Sequence, residues 1–308
     1  MLDPMRHLLR IVAALLPVLC AAADIDAFRV STNLVLVNVT VLDSNDRPVT
    51  GLTRDRFHVA ADGREQPIRF FAHENAPLSL GVVLDTSGSM RPNWRQAREM
   101  LALFCENLEP ADELFLVTLD RAPHLAADYS RDCSGIRDNL LTVQPRGLTA
   151  LLDAIPLAAG HLKQARNSRH ALLLISDGGE NASRARYAEI RNLAREAGAQ
   201  IYTATLNLDS LFDHAGYYDG LRGPSLLHDL ATISGGRSFA IDQSRHIAAT
   251  AAAMAREMHD QYLLGFQSPD PAEDGKFHRL AVTVQRDPDA PRLTLFYRRG
   301  YRNPWGIL

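Results

Sequence analysis

One aspartate and two serines stand at alternate positions directly after a short apolar run. The run is Leu80–Leu84, and the residues that follow it include Asp85, Ser87, Gly88 and Ser89. Carboxylate and hydroxyl oxygens crowded into one tight loop are donors that hard divalent cations prefer. The spacing therefore indicates a cation-binding loop, and the alternative is an ordinary turn, where Asp, Ser and Gly are also common.

The run before this loop is short and rich in branched residues, as in a buried strand. From Leu78 to about Asp260, such runs alternate with segments of helical length. The predicted strands are Leu80–Leu84, Leu114–Leu119, Ala171–Ser176 and Gln200–Leu206. The predicted helices are Asn93–Asn107, Ala150–Gln164, Arg184–Glu196, Gly223–Ile233 and Ser244–His259. This alternation predicts an α/β fold, a doubly wound, mostly parallel sheet with helices on both faces, whose ligands bind at the carboxyl ends of the strands.

Both flanks of this segment have strand patterns only. Residues 24–77 contain Asn33–Val41, Phe57–Ala60 and Gln66–Phe71, and residues 261–308 contain Tyr262–Phe266, Phe277–Gln285 and Arg292–Tyr297. Neither flank is long enough to bury a core of its own. We therefore expect residues 24–77 and 261–308 to pack together as a small β-sheet or β-sandwich around an α/β domain at 78–260.

The first 23 residues have the pattern of a signal peptide. A basic start with Arg6 and Arg10 precedes the apolar segment Ile11–Ala22, and Ala21-Ala22-Ala23 supplies the small residues that a signal peptidase reads. We expect cleavage after Ala23 and a secreted or periplasmic protein. The alternatives are a lipoprotein acceptor at Cys20 and an uncleaved anchor. No later stretch has the length and hydropathy of a transmembrane helix.

The net charge bears on the class of binding partner, and the cysteine content bears on disulfide formation. The formal net charge is −3, so no basic field favours nucleic acid. Cys105 and Cys133 remain after cleavage and form either a disulfide or two buried thiols. Both alternatives stay open, because the sequence does not supply the geometry that a bridge requires.

The segment Asp85-Thr86-Ser87-Gly88-Ser89 resembles the metal-ion-dependent adhesion site of von Willebrand factor type A domains. Two later segments also resemble this family. In Gly147–Ile155 a glycine precedes Thr149 at the start of a predicted helix, and in Ile175–Asn181 the residue Asp177 follows a predicted strand. The resemblance covers residues 78 to about 260, and the flanks are similar to a secreted bacterial branch of the family.

The resemblance implies a metal site made of Asp85, Ser87, Ser89, Thr149 and Asp177. The two serine hydroxyls would bind the ion directly, and Thr149 would bind it directly or through water. The two aspartates would hold bound waters or reach the metal themselves. Mg²⁺ is the expected ion, with Mn²⁺ or Ca²⁺ as alternatives. An ion with few bound carboxylates stays electron-poor, so it would accept an Asp or Glu side chain from a protein partner.

The predicted function is therefore a secreted, metal-dependent protein-binding (adhesion) module and not an enzyme. A metal-assisted hydrolase and a scaffold with a stabilising ion are the alternatives. Against the hydrolase, the pattern supplies no evident general base and no second cluster of carboxylates. The irregular segment 207–223 follows a predicted strand, and it is interpreted either as part of the rim of the site or as an insertion without a role.

Overall fold

The computed structural model describes residues 34–73, 76–196, 198–206, 223–241, 246–269, 276–286 and 291–302. The predicted signal peptide, Cys20 and nearly all of the predicted rim segment 207–223 lie outside these residues. The strands are β1 (Leu34–Leu42), β2 (Phe57–Ala61), β3 (Arg64–Gln66), β4 (Ile68–His73), β5 (Leu78–Asp85), β6 (Glu113–Leu119), β7 (Pro123–Ser130), β8 (Arg169–Ser176), β9 (Gln200–Leu206), β10 (Ser238–Ile241), β11 (Tyr262–Gln267), β12 (Phe277–Val284), β13 (Thr294–Phe296) and β14 (Gly300–Arg302). The helices are α1 (Trp94–Glu106), α2 (Ser134–Thr142), α3 (Leu151–Leu162), α4 (Tyr187–Glu196), α5 (Gly223–Ser234) and α6 (Ile247–His259).

A six-stranded sheet forms the centre of the α/β segment. Its strand order is β10-β9-β8-β5-β6-β7, and every neighbouring pair is parallel except β6 with β7. All eight residues of β5 are buried, as expected for a central strand covered on both faces. The predicted doubly wound, mostly parallel sheet is confirmed.

Helices cover both faces of this sheet. On one face Val82 belongs to a buried cluster with Met100 of α1 and Met254 of α6. On the other face Val83 belongs to a second cluster, which takes in residues of α3, α4 and α5. Adjacent residues of β5 thus belong to separate hydrophobic clusters, because successive side chains of a strand point to opposite faces of the sheet. No helix in the described part of the chain is long and apolar enough to cross a bilayer.

The two flanks form a β-sandwich, as the burial argument predicts. One sheet has the order β13-β1-β11-β4, and the other has the order β14-β12-β2-β3. Residues of both sheets share one buried cluster, in which the rings of Phe57 and Tyr262 lie 4.9 Å apart. Strand β1, from the amino-terminal flank, pairs antiparallel with β11, from the carboxyl-terminal flank.

Several elements differ from the sequence prediction. The segment Gln66–Phe71, predicted as one strand, is divided at Pro67 into β3 and β4, which lie in different sheets. Pro67 has no backbone N–H to donate to a strand ladder, so the pairing is interrupted at this residue. Strands β7, β10 and β14 and helix α2 were not predicted. Helix α2 is joined to α1 by a disulfide between Cys105 and Cys133, whose Cα atoms are 6.1 Å apart.

Arg237 connects the α/β segment to the sandwich. Its guanidinium lies 2.6 Å from Oε1 of Glu257 on α6 and 2.7 Å from Oδ2 of Asp46, in the turn after β1. The carboxylate of Glu257 is 1% exposed, and its Oε2 has no hydrogen-bond partner among the described residues. Burial raises the pKa of Glu257 to about 7, although Arg237 opposes the shift.

Candidate metal centre

Three loops meet at the carboxyl edge of the central sheet. Asp85 is the last residue of β5, and Asp177 directly follows β8. Strands β5 and β8 are parallel neighbours, with Leu84 opposite Ile175, so the two loops leave the sheet side by side. Thr149 lies just before α3, in the third loop. The edge predicted from the sequence to carry the site therefore does bring these loops together.

Backbone hydrogen bonds tie the first loop to the third. The N–H of Gly88 donates to the carbonyl of Gly147 at 3.1 Å, and the N–H of Arg146 donates to the carbonyl of Thr86 at 2.9 Å. Gly147 has a φ of +80°, a left-handed conformation that favours glycine. The glycine before Thr149 thus allows the turn that places both loops in contact.

Asp85 lies at the base of the site and is fully buried. Its Oδ1 accepts the N–H of Ser87 at 2.9 Å, and its Oδ2 accepts the hydroxyl of Ser176 at 2.6 Å. Burial and the nearby charge of Asp177 raise the pKa of Asp85 to about 7. The carboxylates of Asp85 and Asp177 repel each other. A cation bound close to both would offset this repulsion.

The remaining oxygens converge in front of Gly179. A Cβ atom added to Gly179 would lie 3.2 Å from Asp177 Oδ1, 3.3 Å from Thr149 Oγ1 and 3.7 Å from Ser89 Oγ. The hydroxyl oxygens of Ser87 and Ser89 are 3.0 Å apart. All five predicted site residues are thus neighbours, and the absence of a side chain at position 179 keeps the space between their oxygens open.

Residues of the Asp177 loop fix the position of Thr149. The side-chain oxygen of Asn181 accepts the N–H of Thr149 at 2.8 Å, and the N–H of Asn181 donates to the carbonyl of Thr149 at 3.0 Å. The buried Glu180 accepts the N–H of Leu152, in the first turn of α3, at 2.8 Å. Ser176, Glu180 and Asn181 were not predicted as site residues. The only signal for them is their position within four residues of Asp177.

Asp153 does not contribute to this cluster. Its Oδ1 accepts the N–H groups of Arg184 at 3.1 Å and of Ala185 at 2.9 Å, so its carboxylate caps the loop before α4. Asp153 therefore has a structural role and is not part of the candidate metal centre.

The donor set fits a hard divalent cation. Three hydroxyls and two carboxylates supply only oxygen, which suits Mg²⁺, Mn²⁺ or Ca²⁺ better than metals that prefer nitrogen or sulfur ligands. Within the described ranges, no group of three or more His, Cys, Asp or Glu side chains is arranged to hold a metal ion. A site here would therefore depend on its hydroxyl oxygens.

Three exposed arginines and the half-buried Asp120 lie on the loops around the site. Ser89 is exposed and Asp177 is half-buried, so the cluster opens to solvent. Arg91, Arg121 and Arg146 are exposed on the surrounding loops, and none of them forms an ion pair within the described part of the chain. The Nε of Arg91 donates to the carbonyl of Pro145 at 3.0 Å, which holds this side chain over the Thr149 loop.

Comparisons with known proteins agree with the fold. Residues 80–180, which include all three loops, match the family model described as von Willebrand factor type A domain. A von Willebrand factor type A structure from Catenulispora acidiphila has a TM-score of 0.50 at 11% identity, over 89% of this chain and 76% of that one. No curated protein matches the chain.

A second similar structure is proximal thread matrix protein 1 from the mussel byssus, described with a zinc-occupied MIDAS motif. Its TM-score is 0.50 at 15% identity, over 64% of this chain and 49% of that one. BatB from Bacteroides thetaiotaomicron has a TM-score of 0.48 at 16% identity, over 58% of this chain and 98% of that one. The family-model match and the two structures with a TM-score of 0.50 show that the α/β segment has the fold of a von Willebrand factor type A domain.

Proposed function

We propose that the carboxyl edge of the central sheet binds a divalent cation. Ser87, Ser89 and Thr149 would donate hydroxyl oxygens to the ion, and Asp85 and Asp177 would hold bound waters or reach the ion themselves. The observation that carries this proposal is the convergence of Asp177, Thr149 and Ser89 oxygens within 3.7 Å of one point in front of Gly179. Mg²⁺ is the ion we favour, with Mn²⁺ and Ca²⁺ as alternatives.

We further propose that the site captures an acidic side chain of a partner protein. A cation held mainly by neutral hydroxyls keeps most of its positive charge and accepts a carboxylate. The exposed Arg91, Arg121 and Arg146 add positive charge around the opening, which would steer an acidic surface to it. A nucleic-acid partner would be disfavoured by the net charge of −3.

The burial and the hydrogen bonds of Asp85 favour a binding role over catalysis. A carboxyl group with a pKa near 7 in a cleft is a candidate general base. Asp85 is, however, fully buried, and both of its oxygens already accept hydrogen bonds from Ser87 and Ser176. It is thus poorly placed to take a proton from a bound substrate, whereas it is well placed to orient the loop that holds the ion.

We propose an extracytoplasmic location for this function. The first 23 residues have the pattern of a signal peptide, with cleavage expected after Ala23. The disulfide between Cys105 and Cys133 is independent support, since such bonds persist mainly in oxidising compartments.

Calorimetric titration of the metal-stripped protein with Mg²⁺ and with Mn²⁺ tests the site. We expect saturable binding that is lost in Asp85→Ala and in Ser87→Ala/Ser89→Ala. Asp138→Ala, which changes an exposed aspartate on α2, is the matched control and should bind normally. If the wild-type protein binds neither ion at millimolar concentration, the proposal is wrong.

The acid-capture step needs a separate test. Peptides that display one Asp or Glu would be compared with their Asn or Gln counterparts, with Mg²⁺ present and after chelation. Binding that requires both the carboxylate and the ion supports capture. Equal binding of the amide peptides would contradict capture even if the calorimetry had established the ion site.

A further inference from the structure

A groove lies between α1 and α2. It has a volume of about 370 Å³, and it is lined by Arg95, Arg98, Glu99, Ala102, Arg137, Leu140 and Leu141. The fold places no described element over it, and Leu141 at its edge is 64% exposed. A volume of this size falls within the range of pockets that bind ligands.

The groove follows directly from helical periodicity. Arg95, Arg98 and Ala102 lie three to four residues apart, so they share one face of α1. On α2, Arg137 is followed at the same spacing by Leu140 and Leu141. Each helix therefore presents a basic position beside an apolar one.

The disulfide holds the two faces together at one end. Cys105 lies three residues after Ala102 on α1, and Cys133 lies four residues before Arg137 at the start of α2. The two cysteines therefore lie on the same helical faces as the groove residues, and the bond joins these faces. It fixes the spacing of the helices, so the groove does not need a ligand to be formed.

The charge of the groove is opposite to that of the protein. Three arginines and one glutamate give a local charge of +2, whereas the whole chain has a formal net charge of −3. Arg95, Arg98 and Arg137 form no ion pair within the ranges that the structure describes. Unpaired guanidinium groups beside apolar side chains suit a ligand that carries both carboxylates and an apolar group.

We propose that this groove docks an acidic, leucine-bearing peptide segment of a partner protein. An apolar side chain of the segment packs against Ala102 and the exposed Leu141, above Leu140, which is itself 2% exposed. Carboxylates on either side of that residue pair with Arg98 and Arg137. This surface uses no residue of the candidate metal centre, so its binding is independent of the cation.

Fluorescence anisotropy with three labelled peptides tests this proposal, with chelator present throughout so that the metal centre cannot take up a carboxylate. The first peptide carries Glu and Leu at helical spacing. The second replaces every Glu by Gln, and the third replaces every Leu by Gly. We expect the first peptide to bind and its affinity to fall as salt is raised, and we expect the other two to bind weakly or not at all.

Charge reversal locates the binding surface. Arg98→Glu and Arg137→Glu should each weaken binding of the Glu/Leu peptide by about tenfold or more, since an attraction becomes a repulsion. Arg64→Glu, which reverses an exposed arginine on β3, should leave the affinity unchanged. Far-UV circular dichroism and urea unfolding of each variant verify that the fold is intact.

Four results would overturn the proposal. These are no binding of the Glu/Leu peptide, equal binding of the Gln peptide, an unchanged affinity in Arg137→Glu, and displacement of the peptide by vesicles of phosphatidylglycerol. The last result would identify the groove as a surface for anionic lipid headgroups.

Discussion

The hydroxyl of Ser176 lies 2.6 Å from Oδ2 of Asp85 and joins the ends of two neighbouring strands of the central sheet. The same hydroxyl oxygen accepts the N–H of Gly178 at 2.9 Å, so it also fixes the loop that carries Asp177. One small side chain therefore sets the separation of the two carboxylates at the candidate metal centre.

Replacing Ser176 by alanine should weaken both the fold and the cation site. The buried Asp85 loses a hydrogen-bond donor, which should cost about 1–3 kcal/mol of unfolding free energy. The cation affinity should fall by about 10- to 100-fold, as for other residues that orient metal ligands. Urea unfolding and calorimetry measure these effects. Ser225→Ala, on the exposed surface of α5, is the control and should change neither.

Replacing Gly179 by alanine should remove cation binding without unfolding the protein. The new methyl group would lie 3.2 Å from Asp177 Oδ1 and 3.3 Å from Thr149 Oγ1, in the space that the ion would occupy. We expect the affinity to fall by at least about tenfold. Gly160→Ala is the matched control, because a Cβ there meets nothing within 4 Å. Normal titration of Gly179→Ala would mean that the ion lies elsewhere.

Glu257 should make the folded protein less stable as the pH rises from about 4.5 to about 7. Its pKa is raised to about 7 by burial, whereas the unfolded chain releases the proton near the usual glutamate pKa of 4.5. Between these values the folded state holds a proton that the unfolded state has lost, so the unfolding free energy falls with increasing pH.

The Glu257→Gln variant isolates this effect. Relative to wild type, it should gain unfolding free energy on the order of 3 kcal/mol between pH 4.5 and pH 8. Urea unfolding at a series of pH values measures the difference in unfolding free energy between the variant and wild type. The contributions of all other titrating groups cancel in this difference. A difference that does not change with pH would show that Glu257 titrates normally.

Removal of the Cys105–Cys133 bond should lower the unfolding free energy by ~3.5 kcal/mol. The two cysteines are 28 residues apart, and the bond limits the conformations of that loop in the unfolded chain. Chemical unfolding of Cys105→Ser/Cys133→Ser, compared with wild type before and after reduction, measures the loss. If reduction leaves wild-type stability unchanged, the bond does not stabilise the protein.

The parts of the fold with a strong local pattern were predictable. The β5 strand and its Asp85-Thr86-Ser87 loop are contiguous in sequence, and β5 is buried throughout. The contributions of Thr149 and Asp177 came from resemblance to a family, because residues this far apart are joined only by tertiary structure. The roles of Ser176 and Asn181 depend on hydrogen bonds to residues distant in sequence, which composition and spacing do not reveal.

The missed elements have weak patterns. None of the residues of β7 is buried, so this edge strand lacks the apolar alternation that identifies a strand. Helix α2 has only nine residues and begins at one of the bridged cysteines. The disulfide is not predictable from the sequence, because it depends on a Cα–Cα distance that the sequence does not give.

The pairing of β1 with β11 determines how the protein would bear mechanical load. Leu34 at the start of β1 lies opposite Gln267, whereas Tyr262, where the chain re-enters the sandwich from the α/β segment, lies opposite Val39. If the chain is held by the residues before Leu34 and pulled at the metal centre, the two strands are drawn toward opposite ends. All six registered pairs would then be loaded together in shear and not broken one after another. A protein with this connection would resist tension until the whole ladder yields at once.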